Sequence, residues 1–280
     1  MNPLSRRDLA RLASMIIPIR LPWNMRAFAN EPSAQEKHCQ VTDQFPIQSP
    51  ELVREMVTVS HFDQKRVREL VEARPSLARA AWDWGFGDWE TALGAASHMG
   101  NRPIAEYLIS KGARPSLFSA TMLGQLEVVR AFIAAQPGAQ RVRGPHSISL
   151  LDHAKAGGPE ARAVLDFLES MDGAGDEPGV SLSDVDRVAV LGTYVFGFSP
   201  SQQIDITMEY NPMLKMDQLT WTRKGTMGRP LYHVGDRVFY PAGAAAVRIR
   251  FTEEMGTVVM TVSDPDIVLR AQRRKQEPSR

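Results

Sequence analysis

The sequence predicts an α+β protein of several domains, in which a helical repeat region precedes a small antiparallel β barrel or sandwich. Residues 49–171 repeat one pattern, a short helix that ends near a glycine and is followed by a second, amphipathic helix. A segment rich in Gly, Asp, Glu, Pro and Ser at 172–186 is typical of a linker. Residues 187–271 then contain short runs of alternating polar and apolar residues between turn signals. Because helices and strands are segregated along the chain, the α+β class follows.

The helical repeats are clearest in their second helices. Residues 66–71, 104–109 and 128–133 each place an apolar pair three residues after an apolar or small position. Residues 91–96, with the sequence TALGAA, precede the second of these helices and are followed by Gly100. This arrangement resembles the ankyrin repeat. The resemblance implies a solenoid of about four degenerate repeats, whose units stack because none can bury its apolar face alone.

The ankyrin resemblance also implies where a partner binds. In that family, partners usually dock on β-turn fingers and inner helices, and the finger here holds three of the five tryptophans. Aromatic side chains are enriched at binding hot spots. The alternative is that these rings pack against a neighbouring finger or the second domain. The candidate binding residues are Trp82, Asp83, Trp84, Phe86, Asp88, Trp89, Glu90, His98, Met99 and Met122.

Catalytic and metal-binding motifs are not expected from residue spacing. The six histidines include no pair with HExxH spacing, and the single cysteine, Cys39, excludes a multi-cysteine zinc site. His153 is expected to be a hydrogen-bonded core residue. No GxSxG or SxxK motif is present. We therefore expect no metal, no cofactor and no catalytic residues.

The β region is similar to the small β domain appended to some serine β-lactamase-like hydrolases. The likeness rests on residues 191–194, Leu219, residues 236–239 and residues 248–251. In those hydrolases the appended domain does not carry the nucleophile. The resemblance therefore implies no activity for this domain. Separately, alternation predicts six strands that enclose a filled interior, at residues 191–198, 203–210, 214–223, 230–240, 246–252 and 257–263.

The N-terminal residues 1–29 resemble a twin-arginine signal peptide. Arg6 and Arg7 precede a modest apolar stretch, and residues 27–29 form a small-x-small site after which cleavage is expected. Residues 30–48 are typical of a linker. The resemblance implies a bacterial protein that is periplasmic or secreted. The alternative is a disordered or amphipathic arm on a cytoplasmic protein.

Composition narrows the class of partner. The chain has 33 basic and 32 acidic residues and a formal charge of +1, which gives no bulk field to attract nucleic acid. No apolar run approaches the length that spans a bilayer, and residues 272–280 form a basic polar tail. With the ankyrin resemblance, these observations predict an exported, non-catalytic binding protein that engages a protein partner. The alternative is an accessory or regulatory subunit of an envelope hydrolase.

Overall fold

The computed structural model places most of the chain from Pro46 onward in one compact unit. The predicted signal at 1–29 and most of the predicted linker at 30–48 lie outside the residues that the structure describes. The described residues are 46–176, 179–199, 201–211, 216–265 and 267–274.

The helical region comes first and contains eight short α-helices within the described residues. A two-stranded hairpin, β1 (Ala81–Asp83) and β2 (Trp89–Thr91), lies between the second and third helices. The helices are α1 (Pro50–Val59), α2 (Gln64–Ala73), α3 (Ala92–His98), α4 (Arg102–Ser110), α5 (Leu117–Met122), α6 (Leu126–Ala135), α7 (Leu150–Ala156) and α8 (Arg162–Glu169).

Local sequence explains where these helices begin and end. The side chains of Ser49, Thr91 and Ser149 each accept a hydrogen bond from the backbone N–H three residues later, which caps α1, α3 and α7. Gly100 and Gly124 follow α3 and α5 with φ of 68° and 75°. A Cβ on Gly100 would lie 2.1 Å from a backbone carbonyl oxygen of α7. Glycine therefore serves both the turn and the close approach of another helix.

The predicted ankyrin solenoid is wrong. In a solenoid each repeat contacts only its neighbours, whereas α3, from the second predicted repeat, packs on α7 of the fourth as well as on α1 and α5. The third unit has no finger to space the units, since only residues 111–116 join α4 to α5. A Cβ on Gly157 would lie 2.2 Å from the carbonyl oxygen of Met122. Close approach at these glycines thus allows several helices to pack against α3, and the predicted units do not stack in a row.

The predicted antiparallel barrel is confirmed, and it is a larger part of the fold than expected. After α9 (Asp184–Val190), eight strands close in the order β10-β3-β4-β5-β6-β7-β8-β9, every pair being antiparallel. The strands are β3 (Gly192–Val195), β4 (Gln203–Asn211), β5 (Met216–Arg223), β6 (Arg229–Gly235), β7 (Val238–Pro241), β8 (Arg248–Glu254), β9 (Thr257–Asp264) and β10 (Ile267–Arg273).

Two strands exceed the six that the sequence predicted. The single run expected at 230–240 divides into β6 and β7 at a turn where Asp236 and Arg237 have positive φ. Strand β10 pairs with both β9 and β3 and so closes the barrel.

The barrel interior is filled with side chains, as expected for this number of strands. The Phe251 ring meets the rings of Tyr194 and Phe239 edge to face, with ring centroids 5.4 and 5.7 Å apart. Ile204 and Ile249 are fully buried among them. Within the described residues, none of the helices combines the length and apolar character that a membrane crossing requires.

Candidate functional site

The finger at residues 82–90 brings two acidic side chains into the protein. Its strands pair so that Trp82 lies opposite Glu90. The chain reverses through Gly85 and Gly87, with φ of 111° and 75°, a conformation that glycine adopts without steric cost. The Asp83 carboxylate accepts a hydrogen bond of 2.8 Å from the Gly85 N–H. This turn leaves Glu90 fully buried.

Three histidines surround the Glu90 carboxylate, whose side chain is 0% exposed. The Nε2 atoms of His61 and His146 each lie 3.5 Å from Oε2, and Nδ1 of His98 lies 3.1 Å from Oε1. The indole N–H of Trp84 donates a hydrogen bond of 2.8 Å to Oε2. Although His98 Nδ1 and Glu90 Oε1 are close, their alignment does not suit a hydrogen bond, and neither atom has another partner among the described residues.

A second buried carboxylate, Asp88, joins this cluster to the barrel. Its Oδ2 lies 2.8 Å from His146 Nδ1 and 2.7 Å from Arg229 Nη1, which belongs to β6. The exposed fractions of the Asp88 and Arg229 side chains are 2% and 3%. Arg229 Nη1 also donates to the carbonyl oxygen of Ala242 at 2.8 Å, while Nη2 has no hydrogen-bond partner among the described residues. The ion pair therefore ties the finger to the barrel wall.

His146 is held in place by its backbone as well as its ring. It lies in a short turn at 145–147, with φ of 58°, and its N–H donates to Asp88 Oδ1 at 3.0 Å. Next to it, Ser147 Oγ accepts a hydrogen bond of 2.8 Å from the N–H of Gly243 in the barrel. The turn, the finger and the barrel thus fix one another.

Opposing effects set the charges of this cluster. Burial alone would raise the pKa of Glu90, but the contacts with His146 and His98 hold the pKa well below its usual range. Burial would also raise the pKa of Asp88, yet His146 and Arg229 keep that pKa below its ordinary value. Burial alone would lower the pKa of His146, but its contacts with the two carboxylates raise that pKa to about 9. Both carboxylates are therefore ionised at neutral pH.

His61 and His153 are different, because burial lowers the pKa of each ring, that of His153 to about 4. His61 Nδ1 lies 3.1 and 3.0 Å from the carbonyl oxygens of Val57 and Thr58, so this nitrogen carries the proton. His153 Nδ1 lies 2.7 Å from the carbonyl oxygen of Ser149. His153 is therefore a buried, hydrogen-bonded residue, as the sequence predicted, and His61 presents an unprotonated Nε2 to Glu90.

A cavity of about 580 Å³ opens beside the cluster, between the helical region and the barrel. His61, His98 and Arg229 line its wall next to the cluster. This volume falls within the range of small-molecule pockets, about 300–1,000 Å³.

The structure places the ten candidate binding residues in two kinds of environment. Asp88, Glu90 and His98 belong to the cluster, and Met122 is fully buried in the helical core. Asp83 holds the turn of the finger. Trp82 and Trp84 are partly buried and pack against the helical core. The ring centroid of Phe86 lies 5.4 Å from that of Trp221 in the barrel.

The remaining two candidates lie at the surface. Trp89 is 63% exposed and Met99 is also exposed. These two side chains are therefore accessible to a protein partner. That they bind one stays a prediction.

His61, His146 and Arg229 were not among the candidate residues predicted from the sequence, and no metal-binding cluster was expected. The signal that could have found part of it is positional: His61 follows the first helix of the first unit, and His98 ends the first helix of the second. Two histidines at equivalent helix ends face one another when those helices pack together. Their ring centroids are 4.9 Å apart.

No protein-family model matches the chain, and no curated protein is significantly similar to it. The function of the site must therefore follow from its geometry and chemistry.

Proposed function

We propose that the protein binds a small organic acid in the cavity between the helical region and the barrel. The observation that carries this proposal is the lining of the cavity, where cationic side chains outnumber carboxylates among the described residues. The cations are Arg143, His146, Lys155 and Arg229, and the carboxylate is Asp152. Asp88, which is not part of the lining, pairs with Arg229 and His146.

The cationic side chains have capacity left for a ligand. Nη1 and Nη2 of Arg143 donate to the backbone carbonyl oxygens of Ser147 and Asp176 and make no ion pair within the described residues. Lys155 Nζ is exposed and lies 3.5 Å from Asp152 Oδ1, a weak pair that a ligand can replace.

Arg229 offers the strongest single contact. Its Nη1 is occupied by Asp88, but its Nη2 makes no hydrogen bond among the described residues. A buried donor without a partner costs about 1–3 kcal/mol. A carboxylate is the group that best satisfies a guanidinium, because the bond is charge-assisted on both sides.

The rest of the lining is apolar and suits the body of such an acid. Ile148, Met227, Pro230 and Ala242 contribute, together with the ring of Tyr232. Pockets for small molecules combine an apolar wall with a few polar groups that fix orientation. The proposed ligand is a small molecule, which differs from the protein partner that the sequence predicted, and the proposal assigns no catalytic step.

Thermal unfolding with defined probes tests this proposal. Benzoate, phenylacetate and octanoate are compared with the neutral benzamide at matched ionic strength. We expect at least one acid to raise the melting temperature in a saturable way, and benzamide to have little effect. If none of the three acids binds, or if benzamide binds as well as benzoate, the proposal is wrong.

A pair of variants locates the binding. Met227 lines the cavity and Met216 does not, and both are about half exposed on the barrel. Met227→Trp is expected to fill the cavity mouth and abolish the stabilisation by acid, while Met216→Trp leaves it unchanged. Equal binding by both variants contradicts this location.

A further inference from the structure

We propose that His61, Glu90 and His98 form a binding site for a divalent transition-metal ion of the zinc type. This site stands on its own contacts and does not depend on whether the cavity holds an organic acid.

The distances suit a metal ion. One ligand atom from each of the three residues lies within 4.8 Å of the other two. Glu90 Oε1 and His98 Nδ1 are 3.1 Å apart, and Glu90 Oε2 and His61 Nε2 are 3.5 Å apart. In a tetrahedral zinc site with bonds of about 2.0–2.1 Å, neighbouring ligand atoms are about 3.3 Å apart. Because the 4.8 Å limit is longer than this spacing, the side chains must move closer together to bind one ion.

Unsatisfied atoms point to the same conclusion. Glu90 Oε1 and His98 Nδ1 are buried, close together and without a hydrogen bond among the described residues. Leaving two buried polar atoms in this state is costly, and native proteins rarely do so without a reason. One cation coordinated by both atoms removes both costs.

The neighbouring contacts are those that hold metal ligands in position. His61 Nδ1 donates to backbone carbonyl oxygens, which fixes the tautomer whose Nε2 has a free lone pair. The Trp84 indole N–H donates to the Glu90 carboxylate. Ligating histidines and carboxylates are typically oriented by such second hydrogen bonds.

His146 stays outside the ligand set. It does not belong to the group of atoms that lie within 4.8 Å of one another, and its Nδ1 is held by Asp88. Its contact with Glu90 orients that carboxylate. Imidazole and carboxylate ligands together suit zinc and its neighbours among the transition metals.

Three protein ligands leave one position of a tetrahedral ion open. Both His61 and His98 line the cavity, so the open position is reached from there. Zinc sites that exchange a water or another molecule have this arrangement, whereas structural zinc sites are closed by four protein ligands. The ion is therefore expected to exchange freely with added chelator.

The test is a calorimetric titration of the full chain, stripped with EDTA, with Zn²⁺ alone. We expect one Zn²⁺ per chain. His61→Gln and Glu90→Gln should each weaken Zn²⁺ affinity by at least about 10-fold, since even the loss of a residue that only orients a ligand costs about 10–100-fold. His61 is partly exposed, so His61→Gln is the decisive variant, and its fold is checked by circular dichroism.

Two controls exclude other zinc sites. His233→Gln removes a histidine of the barrel, and the double variant His38→Gln, Cys39→Ser removes two potential ligands outside the described residues. Both should bind one Zn²⁺ with wild-type affinity. Absence of Zn²⁺ binding in the wild type, wild-type affinity in His61→Gln, or loss of binding in the His38, Cys39 variant overturns the proposal.

Discussion

The barrel and the helical region bury different kinds of side chain. The barrel core is mainly apolar and aromatic, with groups such as Phe239 and Ile249. The hydroxyl of Tyr194 donates to the carbonyl oxygen of Val190 at 2.8 Å, and the indole N–H of Trp221 is buried without a hydrogen-bond partner among the described residues. The helical region instead buries two carboxylates, those of Asp88 and Glu90. The barrel core is thus largely apolar, whereas the helical region buries carboxylates together with histidines.

This difference distinguishes the region that supports the candidate site from the region that forms it. Buried charges reduce stability unless they are paired and hydrogen-bonded, and proteins depart from ordinary core packing mainly at functional sites. Among the described residues, the barrel contributes one buried charge, Arg229, on the wall that meets the finger. The barrel therefore acts as a rigid support that completes a polar site built by the helical region.

The largest expected effect comes from breaking the buried pair between the two regions. Asp88→Ala leaves Arg229 buried without a counter-charge and should lower the free energy of unfolding by about 3–5 kcal/mol. The matched control is Glu254→Ala, which breaks the exposed pair with Arg270 on the barrel and should cost about 0–1 kcal/mol. Denaturant unfolding measures both. Similar losses of unfolding free energy in the two variants would mean that the buried pair of Asp88 and Arg229 stabilises the protein no more than an exposed ion pair does.

A smaller loss is expected from crowding the contact between the regions. Gly243 has φ of 80°, and a Cβ there would lie 2.1 Å from the carboxyl carbon of Asp88. That carboxylate is held on both sides and cannot move aside, so Gly243→Ala should cost about 2–4 kcal/mol.

The matched control is Gly256→Ala in the turn between β8 and β9. Gly256 has φ of 74° and nothing within 4 Å of its Cβ position, so only the backbone conformation is penalised, by about 1–2 kcal/mol. Urea unfolding of the two variants isolates the effect of the clash. A loss no greater in Gly243→Ala than in Gly256→Ala would show that Asp88 is free to move.

The finger itself offers an internal comparison. Trp84→Phe keeps an aromatic ring of smaller size but removes the N–H that donates to buried Glu90, and it should cost about 1–3 kcal/mol. Trp89→Ala, on the exposed side of the same finger, should change stability by about 0.5 kcal/mol or less. Thermal melting measures both, and a large loss in Trp89→Ala would mean that its ring packs more closely than its exposure indicates.

The sequence predicted the local structure better than the arrangement of its parts. Caps such as Ser49 and turn glycines such as Gly100 act within a few residues, and alternation acts within one strand, so helices and most strands could be found. The solenoid prediction failed because the approach of α3 to α7 depends on residues more than fifty positions apart. Strand β10 was missed although the barrel closes through it.

The site was only partly visible for a related reason. Glu90 and His98 were nominated as residues that a protein partner contacts, whereas the structure buries both. Spacing motifs detect metal ligands that share one helix or one hairpin, but His61, Glu90 and His98 come from three separate elements. Only the packing of α1, α3 and the finger brings them together.

The most direct test of the division between scaffold and site is thermal unfolding of the wild type with Zn²⁺ and with EDTA. At a free Zn²⁺ concentration ten times the dissociation constant, binding to the folded state alone adds about 1.4 kcal/mol of stability. The expected rise in melting temperature is roughly 3–6 °C, and His61→Gln should remove it. An equal melting temperature in Zn²⁺ and EDTA, or the same rise in His61→Gln, would contradict a metal site in the helical region.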